Sequence, residues 1–108
     1  MNDHPPRKIK ILHQTWTIRV IPEKFSTSSN LGYCDNSQQR IALVDGQHPQ
    51  CMRDTLYHEI QHALNYMLQL DKANDEDLAT RSPAGWMTVF TSNPRLTRWF
   101  FGDIFTEK

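Results

Sequence analysis

Long apolar runs are missing from this chain of 108 residues. No stretch approaches the ~20 consecutive apolar residues that a membrane-spanning helix needs, so no membrane partner is expected. An excess of one charge is missing too. Twelve Lys and Arg balance twelve Asp and Glu, which removes the broad field that draws in nucleic acid or anionic lipid. No nucleic-acid partner is expected either. Cysteine is scarce: Cys34 and Cys51 are the only two, at a spacing that matches neither a zinc ribbon nor a redox motif. The first ten residues are polar, contain Pro5 and Pro6, and lack the apolar segment of a secretory signal. A cytoplasmic protein with both thiols reduced is the expectation, and the two cysteines pair only if the chain leaves the cell. Repeats and low-complexity segments are absent. What remains, 38% apolar and 10% aromatic residues, suits one modest core and a single domain over residues 1–108, with 1–8 read as a loose arm.

The first half has the composition of a sheet. Residues 9–21 are rich in β-branched and aromatic side chains, and Trp16, Ile18 and Val20 alternate with Thr15, Thr17 and Arg19 as in a half-buried strand. Pro22 ends it, and Ser26–Asn30 reads as a loop. A short strand at 31–34, turn chemistry at Asp35-Asn36-Ser37, and a strand at Arg40–Asp45 closed by Gly46 complete a three-stranded, mostly antiparallel sheet.

After Gly46 the period changes. Pro49 suits a first helical position, and Met52, Leu56, Ile60, Ala63, Leu64, Met67 and Leu68 recur at three- and four-residue steps, the stripe of a helix of about five turns. Asn74 is a good N-cap for a second helix with Asp75, Glu76 and Asp77 in its first turn. Ser82-Pro83 is expected to kink or restart that helix. Asn93-Pro94 opens a third, short helix carrying Leu96, Trp99, Phe100 and Phe101, and Gly102 stops it. The fold class is therefore α+β: a sheet first, then three helices. Trp16, Trp86 and Trp99 read as core.

Chemistry concentrates at His58-Glu59-Ile60-Gln61-His62. Four residues turn a helix by about 400°, so His58 and His62 stand one above the other and can aim their nitrogens at one ion. Glu59 flanks that line, where a base acting on a water bound by the ion belongs. The apolar stripe lies largely on the other side. A catalytic zinc takes three protein ligands and leaves the fourth position to water. Glu76 is the expected third ligand, since its long arm reaches across two packed helices. Asp75 and Asp77 are its competitors and otherwise complement the helix dipole. Tyr33, Tyr57, Tyr66, His13 and His48 are candidates to donate a hydrogen bond to a tetrahedral oxyanion.

With His58-Glu59-x-x-His62 followed by a helix opening on Glu76, residues 9–101 resemble the gluzincin metallopeptidases in minimal form, the small phage and bacterial minigluzincin and ImmA/IrrE-like proteins. The resemblance implies zinc on His58, His62 and Glu76, Glu59 as general base, and the strand Arg40–Val44 as the sheet edge that pairs with a substrate backbone. It departs from larger gluzincins at Thr80, where they carry an aspartate that orients a histidine, and at Pro83, where their helix runs unbroken. The expected activity is zinc-dependent endopeptidase hydrolysis of a peptide or protein substrate. The alternatives are a protease selective for one regulatory partner and a non-catalytic binding module stapled by zinc.

Overall fold

A computed structural model of the chain describes residues 4–25, with Phe25 as backbone alone, and residues 30–102. Most of the Ser26–Asn30 loop, and the first three residues of the arm, lie outside them. The elements are β1 (Lys8–Ile11), β2 (Gln14–Ile21), β3 (Gly32–Asp35), β4 (Arg40–Val44), α1 (Pro49–Leu68), α2 (Asp75–Ser92) and α3 (Pro94–Phe101), with short 3-10 turns at Glu23–Phe25 and Leu70–Lys72. The class is α+β, as composition and period require, but the sheet has four strands in the order β1-β2-β4-β3.

Two sheet expectations are corrected. Residues 9–21 are not one strand but a hairpin, β1 and β2 pairing antiparallel from Ile11↔Gln14 to Lys8↔Thr17. The chain reverses at Leu12, which takes φ 56°. A leucine in the left-handed region carries no turn signature, because that region ordinarily selects glycine or asparagine. The second correction concerns Arg40–Val44. β4 is central: it pairs parallel with β2 (Thr17↔Arg40 to Ile21↔Val44) and antiparallel with β3 (Gly32↔Leu43 to Asp35↔Arg40). The edges of the sheet are β1 and β3. Residues 4–7 are also no loose arm. Pro5 and Pro6 are buried, and Arg7 C=O accepts from Ile18 N–H at 2.8 Å.

One face of the sheet, carrying Ile9, Ile11, Trp16, Ile18, Ile41 and Leu43, is buried in a single core with Leu56, Ile60, Ala63 and Leu64 of α1, Val89 of α2 and Leu96 and Trp99 of α3. The other face, with Lys8, Lys10, Thr15, Arg19, Tyr33 and Arg40, is largely open to water.

The helix signals act as read. Pro49 starts α1 behind His48, whose Nδ1 accepts from Gln50 N–H. Asn74 caps α2 by accepting from Asp77 N–H at 2.8 Å. Gly102 ends α3 with φ 57°. Pro83, however, neither kinks nor restarts α2, which runs from Asp75 to Ser92. Proline removes one N–H and leaves the Ala79 carbonyl without its helical donor. Both residues are exposed, so water can serve that carbonyl.

α1 and α2 pack antiparallel. Trp86 Nε1 donates to Gln61 Oε1 at 2.8 Å, Gln61 Nε2 to Ser82 Oγ at 3.3 Å, and Arg81 Nη1 to Leu68 C=O at 2.9 Å. Gly85 permits the approach: a Cβ there would stand 3.1 Å from methyls of Leu64 and Leu68.

Candidate metal and catalytic site

The site is a face of α1 bordered by the edge strand β3. His58 and His62 occupy successive turns, and their Nε2 atoms lie 3.0 Å apart with the rings at 84°. Both residues are exposed. Two nitrogens bound tetrahedrally to one zinc at 2.0–2.1 Å would stand about 3.3 Å apart. The pair is thus already close to the separation that zinc requires. The same distance also suits a hydrogen bond between one protonated and one bare nitrogen.

Glu59 takes the other direction. Its residue is 7% exposed, turned beneath β3. A Cβ on Gly32 would stand 3.3 Å from Glu59 Cγ and 2.7 Å from Thr55 Cγ2. Only glycine lets the strand lie so near the helix. Glu59 makes no hydrogen bond among the described residues, yet no sealed polar side-chain atom there lacks a partner. Its carboxylate therefore opens into the hollow beside the histidines. Burial pushes that carboxyl above the usual carboxylate range, and charge on His58 and His62 draws it back.

The hollow measures about 390 Å³, and its wall includes Gly32, Tyr33, His58, Glu59, His62, Tyr66 and Asp71. Among the oxyanion candidates, this admits Tyr66; Tyr33 borders the hollow from β3 but stands on the open face of the sheet, away from α1. Tyr57 instead stacks on Trp86, with ring centroids 4.2 Å apart, His48 caps α1, and His13 borders a neighbouring hollow.

Glu76 stands apart. Among the described residues no three His, Cys, Asp or Glu side chains converge closely enough to hold a metal. Glu76 is exposed on the first turn of α2. The antiparallel packing explains its distance. Gln61 is level with Ser82 and Trp86, and six residues of helix separate Ser82 from Glu76, about 9 Å further along. Leu78 and Ala79, which follow it on α2, are exposed as well. The carboxylate that borders the hollow is Asp71, in the 3-10 turn after α1. Sequence reading passed over it because a lone acid in a helix–helix connection has no pattern.

Sequence reading also missed Gln47, whose Nε2 donates to Leu31 C=O (3.1 Å) and Val44 C=O (2.8 Å) while its Oε1 accepts from Thr55 Oγ1 (2.7 Å) and Cys51 Sγ (3.2 Å). It ties the start of α1 to β4 and to the approach of β3. Cys34 and Cys51 are both free thiols. Among the described residues, no helix is long and apolar enough to cross a membrane.

Compared with known proteins, the chain matches no family model, no curated protein and no solved structure.

Proposed function

We propose that the protein is a zinc-dependent endopeptidase acting from this hollow. The observation that carries the reading is the juxtaposition of two converging imidazole nitrogens with an unpaired, half-sheltered carboxylate, all beside an edge strand. Two histidines on a helix surface have no structural need of a buried glutamate between them, whereas a hydrolytic site has. A zinc ion held there supplies a Lewis acid that brings the pKa of its water to about 7 and polarises a carbonyl.

His58 and His62 hold the metal through Nε2. The third ligand is a carboxylate from the acidic segment beyond α1. Glu76 is the residue the gluzincin resemblance designates, and Asp71 is the one that borders the hollow. Glu59 accepts a proton from the attacking water and returns it to the leaving nitrogen, a task helped by a carboxyl whose proton affinity burial has raised. Tyr66 donates to the developing oxyanion. The substrate-pairing role expected of Arg40–Val44 passes to β3, whose outer edge pairs with no other strand among the described residues and lies along the histidine face. An extended peptide can add there through its main chain, which selects flexible segments over helices.

Glu59→Gln tests the reading. The amide keeps the shape but cannot take the proton. We expect zinc content and melting temperature unchanged and peptide hydrolysis reduced by about 10³-fold or more. Turnover within tenfold of the native protein would remove Glu59 from the mechanism. Zinc uptake by Glu76→Ala and Asp71→Ala, with Asp75→Ala and Asp77→Ala as charge controls, identifies the third ligand.

A further inference from the structure

The opposite end of the sheet carries a second concavity that the histidine site does not use. A hollow of about 800 Å³ lies where β2 runs on past the start of β1, between residues 4–7 and the first turn of α3. Its floor includes the buried Pro5 and Ile18, and its rim carries Arg7, Lys8, Arg19 and Arg95. Among the described residues no Asp or Glu lines it. The chain has twelve cations and twelve anions, so a third of its Lys and Arg gather here with no counter-charge among the described lining residues. None of the four makes an ion pair or a side-chain hydrogen bond among the described residues. Like charges drawn into one concavity repel each other, and the core does not need them. Three of the four are arginines, whose planar forks match oxyanions two bonds at a time.

The neighbouring strand edge narrows the class of ligand. The outward N–H and C=O of Lys10 are both clasped by the Asn93 side chain, at 2.8 and 2.7 Å. By the two-residue period of a strand, the N–H and C=O of Lys8 point off the same edge, and no side chain clasps them. They offer one donor and one acceptor to another main chain. Among the described residues the lining contains no Phe, Tyr or Trp on which a base could stack, as single-stranded nucleic acid would require.

We propose that this hollow binds an extended acidic polypeptide segment, its carboxylates on Arg7, Arg19 and Arg95 and its backbone against Lys8. The site does not depend on the peptidase reading, since it lies on the other edge of the sheet and is tested by binding alone.

Fluorescence anisotropy on the full chain supplies the test. The probes are a labelled decapeptide alternating Glu with Val, its Gln-for-Glu counterpart, and an oligothymidylate of equal length. The Glu peptide should bind, weaken with added salt, and lose roughly tenfold or more in affinity on Arg19→Glu or Arg95→Glu, as loss of a charge-assisted fork implies. Arg98→Glu, exposed on α3 outside the hollow, should bind like the native chain, and the Gln peptide should not bind. Thermal melts run alongside. Should a reversal unfold the protein, Arg19→Gln and Arg95→Gln remove the charge alone and should still weaken binding. The proposal is overturned if the Glu peptide fails to bind at low salt, or if Arg98→Glu costs as much as Arg19→Glu. It is equally overturned if oligothymidylate binds through these arginines more tightly than the peptide, which would make the hollow a nucleic-acid site. Self-association that Arg19→Glu abolishes would overturn it as well, by making the occupant a second copy of the chain.

Discussion

Gly32 is where strand and helix meet most closely, and a methyl group there has nowhere to go. It would stand 2.7 Å from Thr55 Cγ2 and 3.0 Å from the Ala42 carbonyl oxygen, the second a backbone atom of the central strand. Gly32→Ala should therefore cost about 1–3 kcal/mol, in the range of overpacked cores, and shift Glu59 relative to the histidines. Chemical denaturation reads the first effect and zinc affinity the second; a fully stable variant with native affinity would show that β3 yields freely. Cys34 lies nearby on the same strand. Burial pushes its thiol up to about 12, with the negative charges of Glu59 and Asp35 adding to the effect. An unfolded cysteine ionises near 8.5. Above that pH the unfolded chain sheds a proton that the folded chain retains, so this residue's contribution to stability falls as pH rises from about 8.5 toward about 12. At mildly alkaline pH, native Cys34 should be alkylated far more slowly than in urea, as peptide mapping by mass spectrometry would show. Equal rates would mean that the thiol is not sheltered.

At the scale of elements, the fold depends on a few side chains that tie neighbours together. Asn93, between α2 and α3, holds the β1 edge through both Lys10 groups and also donates to Val89 C=O. Asn93→Ala should lower stability by about 0.5–1.5 kcal/mol, since the two bonds to Lys10 are exposed to water and only the one to Val89 is half-buried, and should open the edge of β1 to added strands. Urea unfolding with light scattering measures both, and an unchanged midpoint would contradict the clasp. Helix boundaries were legible because their signals are local: Pro49, Asn74, Pro94 and Gly102 act within one turn of their own position. The sheet was less legible. β2 and β4 are separated in sequence by β3, and their parallel pairing depends on where β3 and the intervening loop fall. No residue in either strand encodes that choice, which is why β4 read as an edge.

For the whole molecule, the two histidines link metal to stability. A ligand that binds only the folded state stabilises it by about 2.7 kcal/mol at a hundredfold excess over its Kd. In a domain of this size that raises Tm by on the order of 10 °C. Zinc should produce such a rise, a chelator should reverse it, and His58→Ala should abolish both responses. A zinc-dependent rise that survives His58→Ala would place the metal elsewhere. The same scale separates the two hollows. One lies against β3 and the other against β1, three strand spacings or about 14 Å apart across the sheet, so variants in one should leave the other undisturbed.

Sequence alone determined the α+β class, the three helices and the alignment of His58 with His62. Each rests on a period or a cap that acts over a few residues, and four residues of helix bring two side chains together wherever the helix goes. Tertiary structure decided the rest. It made β3 rather than β4 the edge beside the histidines, because strand order is settled by which strands share the core under α1. It placed Glu76 level with the last turn of α1, because antiparallel packing through Gln61, Ser82 and Gly85 sets the level of α2, and it placed Asp71 beside the hollow. It also gathered Arg7, Lys8, Arg19 and Arg95 around one concavity. Those residues are spread over 89 positions of a chain with no net charge, and only folding brings them together.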